Sequence, residues 1–175
     1  MKKISFTMSY RRSDSKRTPA TVIEKWALER GLEFPKDFVD FFVEFGGAVL
    51  EEEVGYGFVD ESGRRRDFAF IIGFLHFDPE VTESSVDFEY RLRCTEHWDQ
   101  PLLVPFADTD ANTFAVLDFR KSRHAPAVYN ADFFDYSDTD PDRPNMTWLA
   151  DSFTGFLELL EPYDSYLARK GEAKY

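Results

Sequence analysis

Four phenylalanines at helical spacing set the strongest constraint on how this chain folds. They occupy positions i, i+3, i+4 and i+7 and form one apolar face: Phe38, Phe41, Phe42 and Phe45. Pro35 precedes the stripe and Gly46 follows it. Proline favours the first turn of a helix, and glycine accepts the left-handed conformation that often ends one. The pattern therefore predicts a helix from residue 35 to 45 with one buried face.

A second amphipathic helix is predicted just before this one. Thr18 is a suitable N-cap, with Pro19 at the first helical position and Gly31 beyond the last turn. Its apolar face consists of Val22, Ile23, Trp26 and Ala27. Two helices joined by a few residues pack as a hairpin. We therefore expect Trp26 to be buried against the phenylalanine stripe.

The middle of the chain has the two-residue period of β-strands. Residues 54–58 and 68–72 alternate in polarity on either side of a turn sequence at 60–63, which predicts a β-hairpin. Pro105 lies in a short apolar run and favours an edge or terminal strand there. Residues 113–119 are apolar on both parities, which predicts a strand buried on both faces.

The last third of the chain is interpreted as a loop followed by a helix. Residues 131–146 carry five aspartates and are read as a long acidic loop. Asn145 or Thr147 would cap a final helix whose apolar stripe is Leu149, Phe153, Phe156, Leu157 and Leu160. Residues 84–94 fit a further short helix. The order of helices, then strands, then helices predicts an α+β fold.

Length indicates how many domains the chain forms, and net charge limits the partners that it can bind. The 175 residues argue for one domain at 18–170, preceded by a basic arm or short strand at 1–17. The net charge of −12 argues against a nucleic-acid binder, because phosphate contacts need a basic face. Neither a membrane-spanning run nor a secretory signal is visible, and the single Cys94 fits a reducing compartment. A cytoplasmic protein is expected.

Motifs for catalysis or metal binding are missing from the sequence. It contains no nucleotide-binding glycine loop, and its three histidines lack metal-ligand spacing. Cys94 and His97 lie one helical turn apart, the spacing of a thiolate pair, but a small buried cysteine is the favoured interpretation. The expectation is a protein without enzymatic activity, cofactor or metal.

Two acidic segments contain residue types that are typical of calcium sites. Residues 108–112 begin like a calcium-binding loop, but its sixth and twelfth positions hold Thr113 and Phe119 instead of glycine and glutamate. A turn satisfied by its own Asx side chains is favoured there. The aspartates of 131–146 could also hold calcium, and a solvated loop is the favoured alternative.

Several segments in a fixed order carry a family resemblance. They are residues 23–24, 34–38, 45–47, 103–108, 112–114, 117–118, 149–153 and 156–157. Together they resemble the SUKH superfamily, which is shared by fungal cell-wall-synthesis regulators and many bacterial immunity proteins. The resemblance covers about residues 20–160. It implies a mostly antiparallel curved sheet between an N-terminal helical hairpin and a C-terminal helix, and it carries over no catalytic residue.

The resemblance also implies a function in binding other proteins. Many bacterial members of the superfamily neutralise toxin domains delivered by neighbouring cells, often nucleases. A nuclease is basic where it holds phosphate, so an acidic inhibitor is steered to that surface. The predicted partner-binding residues are therefore acidic: Glu51, Glu52, Glu53, Asp108, Asp110, Asp132, Asp135, Asp138, Asp140 and Asp142. Two alternatives stay open, a regulatory scaffold for another cellular partner and a small-molecule binder or enzyme.

Overall fold

The computed structural model describes most of the chain. The described residues are 8–11, 17–50, 53–59, 65–80, 82, 84–110, 113–136 and 142–170. The helices are α1 (Ala20–Leu28), α2 (Lys36–Phe45), α3 (Val86–Glu89), α4 (Phe153–Leu159) and α5 (Tyr163–Lys170). Helix α3 continues as a π-helical segment, Tyr90–His97. None of these helices is long and apolar enough to cross a membrane.

The strands of the described residues form one antiparallel sheet. They are β1 (Met8–Arg11), β2 (Ala48–Leu50), β3 (Val54–Val59), β4 (Arg65–Phe74), β5 (Leu103–Thr109), β6 (Thr113–Asp118), β7 (Ala127–Tyr136), β8 (Pro144–Ala150) and β9 (Glu161–Pro162). Their order is β1-β2-β4-β5-β6-β7-β8, with β3 beside β4 and β9 beside β3. The predicted hairpin at 54–72 is confirmed, although its turn at 60–63 lies outside the described residues.

The sheet curls into a half-barrel, which confirms the predicted α+β class. The hydroxyl of Tyr56 on β3 donates a hydrogen bond to Oδ1 of Asn130 on β7 at 2.8 Å. This bond joins two strands that three other strands separate in the sheet order. Phe156 of α4 packs against both Tyr56 and Phe106, with ring centroids 5.6 and 5.3 Å away, so α4 fills the concave side.

The phenylalanine stripe of α2 lies at the centre of the core, as predicted. Phe38, Phe41 and Phe42 are buried. Phe38 meets Phe106 of β5 at 5.8 Å and Phe153 of α4 at 5.0 Å, both edge-on. Edge-to-face pairs are the arrangement that the charge distribution of aromatic rings favours. Helix α2 therefore links the sheet to α4.

The start of α1 and the position of Trp26 differ from prediction. Pro19 is the N-cap and makes no side-chain capping bond, so Thr18 is not the cap. Trp26 stacks on Phe34 at a centroid distance of 5.9 Å and meets Phe77 and Tyr90 edge-on. The indole thus faces α3 instead of the α2 stripe, because its N–H donates to Asp87 of that helix.

The prediction that Pro105 marks an edge strand is wrong. Strand β5 lies inside the sheet, between β4 and β6. Its pairing with β4 begins only at Ala107, and a register shift against β6 falls between Pro105 and Ala107. A proline is tolerated at such a bulge because the missing N–H interrupts no regular ladder. Strand β6 is buried along its whole length, as predicted.

The predicted acidic loop at 131–146 is also wrong, because β7 and β8 form a hairpin there. Asp132 lies opposite Asn145 in the ladder. Ala131 and Phe133 are buried, whereas Phe134 is 62% exposed. The proposed caps Asn145 and Thr147 belong to β8, and α4 begins later, where Ser152 Oγ accepts from the N–H of Gly155 at 3.1 Å.

Candidate functional site

Five of the predicted acidic residues lie near one end of the sheet. Strand β5 ends and β6 begins there, and β7 passes beside them, since Asp108 lies opposite Phe114 and Thr113 lies opposite Asp132. The five residues are Asp108, Asp110, Asp132, Asp135 and Asp142, and we call this region the acidic turn end. Antiparallel pairing thus brings Asp108 and Asp132 together, although they are 24 positions apart in the chain.

Asp110 links β4 to the segment that follows β5 at this end of the sheet. Its Oδ1 accepts a hydrogen bond from the N–H of Phe70 on β4 at 2.9 Å, and its carbonyl accepts from Thr113 Oγ1 at 3.1 Å. Burial raises the pKa of its carboxyl, partly offset by the bond from Phe70. Asp110 therefore positions the β5–β6 turn as well as contributing charge.

The remaining carboxylates are more open to solvent. Asp132 Oδ1 accepts from the N–H of Phe134 at 3.0 Å, and Asp135 accepts a 3.4 Å bond from the amide of Asn145. Asp135 and Asp142 are exposed. These contacts fix the backbone around the turn and leave carboxylate charge at the surface, which is the chemistry needed to attract a basic partner.

The other predicted acids do not belong to this group. Glu53 lies in the break between β2 and β3, where its carbonyl accepts the N–H of Tyr163 at 2.8 Å. Its side chain is exposed beside the edge that β9 covers. Glu51, Glu52, Asp138 and Asp140 lie outside the described residues.

A buried polar cluster supports the acidic turn end from behind. Tyr56, Thr109, Thr113 and Asn130 are all under 5% exposed. Besides the bond from Tyr56 to Asn130, the hydroxyls of Thr109 and Thr113 are hydrogen-bonded to each other. Burial raises the pKa of the Tyr56 phenol, so it stays protonated and acts as a donor. Satisfied buried polar groups of this kind fix the geometry of a core.

The Cys94 and His97 pair does not form an activated nucleophile. Cys94 is fully buried on the π-helical segment, whereas His97 is exposed and packs edge-on against Trp98. Burial raises the pKa of the Cys94 thiol, which disfavours the thiolate that a nucleophile requires. Among the residues that the structure describes, no three His, Cys, Asp or Glu side chains are grouped to hold a metal ion.

A groove lies between α1 and α3, and the sequence did not predict it. It has a volume of about 580 Å³ and is lined by residues of both helices and of the segment after β4. Arg30 lies over the ring of Trp26, with Cζ 3.9 Å from the ring centroid, and donates to Asp87 at 2.8 Å. The sequence pattern that could have indicated this groove is the i, i+4 spacing of Trp26 and Arg30, which places an aromatic ring and a cation side by side on a helix.

The fold agrees with the comparison to known proteins. The model of the SMI1 / KNR4 family (SUKH-1) matches residues 19–159, a span that runs from the N-cap of α1 to the end of α4. No curated protein and no solved structure matches the chain. The matched span includes the α2 stripe, the curled sheet from β2 to β8 and the acidic turn end. The chain belongs to the SMI1 / KNR4 family (SUKH-1).

Proposed function

We propose that this protein is a non-catalytic binding module of the immunity type. It binds a cognate protein toxin directly and neutralises it by covering the surface that the toxin needs. The observation that carries this proposal is the family match over residues 19–159. A cytoplasmic location fits the free buried thiol of Cys94, because reduced cysteines are typical of that compartment.

The acidic turn end is the proposed contact face. It presents carboxylates from β5, β7 and the β7–β8 connection on a chain whose net charge is −12. Opposite charge on a partner raises the rate of association and fixes its orientation. The complementary partner is a basic protein, and a nuclease toxin is the class that best fits, because its active surface must hold phosphate. The same charge argues against direct binding of nucleic acid.

An inhibitor that acts by covering the toxin needs a rigid binding surface, and it needs no reactive group. The bond from Tyr56 to Asn130 and the bond from Phe70 to Asp110 hold the strands behind the acidic turn end in place. A preformed surface binds more tightly, because little conformational entropy is lost on association. The buried cluster therefore supports a role in binding without any catalytic step.

Affinity capture followed by an inhibition assay tests this proposal. The tagged protein is used to retain partners from an extract of its own cells at low and moderate salt. We expect one basic protein that is retained at low salt, is lost as salt rises, and loses its toxic activity when this chain is added in equimolar amount. A partner whose activity is unchanged by the addition would contradict immunity and favour the scaffold alternative.

A further inference from the structure

We propose that the surface beneath β9 and α5 is a binding site for a peptide segment of another protein that carries two aromatic residues three positions apart. In the free chain, residues 161–170 occupy this surface, and we call these residues the latch. The latch leaves the surface when the peptide binds. This inference does not rest on the proposed function.

The latch follows the part of the chain that matches the family. The family match ends at residue 159, at the end of α4, and the latch begins at Glu161. Leu160 lies between them with extended backbone angles, φ −67° and ψ 129°. The chain direction therefore changes at Leu160, and the latch is a separate element added beside the curled sheet.

The backbone pairing of the latch is short. Strand β9 has two residues, which pair with Val54 and Gly55 at the edge of β3. The N–H of Tyr163 donates to the carbonyl of Glu53 at 2.8 Å, which continues the pairing by one residue. Peptides from other proteins add to strand edges through the same main-chain bonds. The main-chain part of this surface therefore fits an extended peptide.

Two tyrosines provide the aromatic contacts of the latch with β4. Tyr166 is 1% exposed, and its ring centroid lies 4.7 Å from that of Phe68. The ring of Tyr163 lies 5.3 Å from Phe68 and 5.0 Å from Phe70. Residues three positions apart lie on one face of a helix, so α5 presents both rings to β4 together. The surface thus favours a peptide with two aromatic side chains at this spacing.

The charged contact of the latch is exposed. Arg169 donates to the carboxylate of Glu161, and its Cζ lies 5.4 Å from the ring centroid of Tyr166. The side chain of Arg169 is 55% exposed, and ion pairs at such positions stabilise a fold little. Two rings and a short backbone pairing therefore hold most of the latch in place. A segment held in this way opens at a lower free energy than the whole chain unfolds.

The latch competes with any free peptide because it is tethered to the site. A short tether gives a segment an effective concentration on the order of millimolar at its own site. A peptide of the same sequence should therefore bind the native chain weakly. Weakening the latch should make the surface available without changing the residues of β3 and β4 that form it.

Competition between the latch and a free peptide tests the proposal on the full-length chain. The probe is a fluorescein-labelled peptide of residues 160–170, and its anisotropy is measured with the native chain and with an open variant, Tyr163→Ala and Tyr166→Ala. We expect the open variant to bind the probe at least about tenfold more tightly than the native chain. A control peptide with the same two substitutions should bind at least about tenfold more weakly than the probe. Equal affinity of the two chains for the probe would overturn the proposal.

Further substitutions in the open variant locate the bound probe. Phe68→Ala removes a ring of the proposed surface and should raise the Kd of the probe about tenfold. The matched control is Phe134→Ala, which removes an exposed ring on β7 and should leave the Kd unchanged. Each chain is first checked for an unchanged far-ultraviolet spectrum. Equal effects of the two substitutions would contradict the assignment, and so would an open variant that dimerises and leaves the probe unbound.

Hydrogen exchange on the native chain provides a test without any substitution. The amides of α5 should exchange faster than those of β6, because the latch opens while the sheet stays folded. The open variant should accordingly keep the urea midpoint of the native chain. Equal protection of α5 and β6, or a midpoint lowered as far as by a cavity in the core, would show that the latch unfolds only with the whole chain. Either result would overturn the proposal.

Discussion

Asp110 combines a structural and an electrostatic role in one side chain. Its carboxylate accepts the N–H of Phe70, a bond that links β4 to the β5–β6 turn. Burial raises its pKa, so the folded chain binds a proton at this carboxyl more tightly than the unfolded chain. The charged form therefore costs folding free energy at neutral pH, and that cost falls as the pH decreases through the raised pKa.

Substitutions at Asp110 separate these two roles. Asp110→Asn keeps an acceptor for Phe70 and removes the charge, so it should be at least as stable as the native chain at neutral pH. This advantage should shrink as the pH falls, because the native carboxyl becomes neutral as well. Asp110→Ala removes the acceptor and should lower the free energy of unfolding by about 1 kcal/mol. Urea unfolding at neutral and mildly acidic pH measures the free energy of unfolding of the native chain and of both variants. Equal stability of Asp110→Asn and Asp110→Ala would contradict the structural role of this carboxylate.

The thiol of Cys94 gives a second test at the residue scale. Because the thiol is buried and its pKa is raised, it should react with a disulfide reagent much more slowly in the native chain than in urea. A control chain with Cys94→Ala and Leu92→Cys moves the thiol to a position that is 40% exposed on the same segment. This control should react rapidly without denaturant. Rapid reaction of native Cys94 would instead indicate an accessible nucleophile.

At the scale of elements, prediction worked where a pattern of apolar residues dictated the structure. The spacing of Phe38, Phe41 and Phe42 can be satisfied only by a helix with one buried face, and α2 has that face. Residues 113–118 had too many apolar side chains for a surface strand, and β6 is fully buried. In both cases the apolar residues themselves determine the local structure, so the sequence was sufficient.

Prediction failed where long-range pairing decides the structure. The aspartates of 131–146 suggested a loop, yet β6 pairs with β7 and β7 with β8 across this region. A carboxylate is tolerated in a strand when its side chain faces solvent, and local composition cannot show which face is covered. The groove was missed for the same reason, since Arg30 and Asp87 are 57 positions apart in the chain.

The boundary of α4 can be tested by substitution of the observed cap, Ser152, and of one cap that the sequence predicted, Asn145. Ser152 Oγ accepts the N–H of Gly155, so Ser152→Ala should lower the free energy of unfolding by about 1 kcal/mol. Asn145→Ala should change it by less than about 0.5 kcal/mol, because its amide makes only a 3.4 Å exposed bond. Urea unfolding provides both values. A larger loss at Asn145 than at Ser152 would favour the helix start predicted from the sequence.

At the scale of the whole molecule, two C-terminal elements follow the span that the family match covers. The family match ends at residue 159, and β9 and α5 follow it. These two elements cover the edge of β3 and the rings of Phe68 and Phe70, to which Tyr163 and Tyr166 are packed. Tyr163 packs on Phe70, whose N–H donates to Asp110, so this C-terminal addition reaches the β4 side of the acidic turn end.

The proposed function depends on the acidic turn end, which is expected to steer a basic partner to the protein. The decisive measurement is the association rate constant of the captured partner with three versions of the chain at low salt. One is native, and one carries Asp108→Asn, Asp132→Asn and Asp135→Asn. The matched control carries Glu24→Gln, Asp40→Asn and Glu44→Gln on α1 and α2, which are exposed positions with the same total change in charge.

We expect the substitutions at the acidic turn end to slow association about tenfold, and the control to associate nearly as fast as the native chain. Added salt should slow the native chain toward the rate of the variant at the acidic turn end, because screening removes the same attraction. Equal rates for the two triple variants would show that the position of these carboxylates does not matter. That result would contradict electrostatic steering by the acidic turn end.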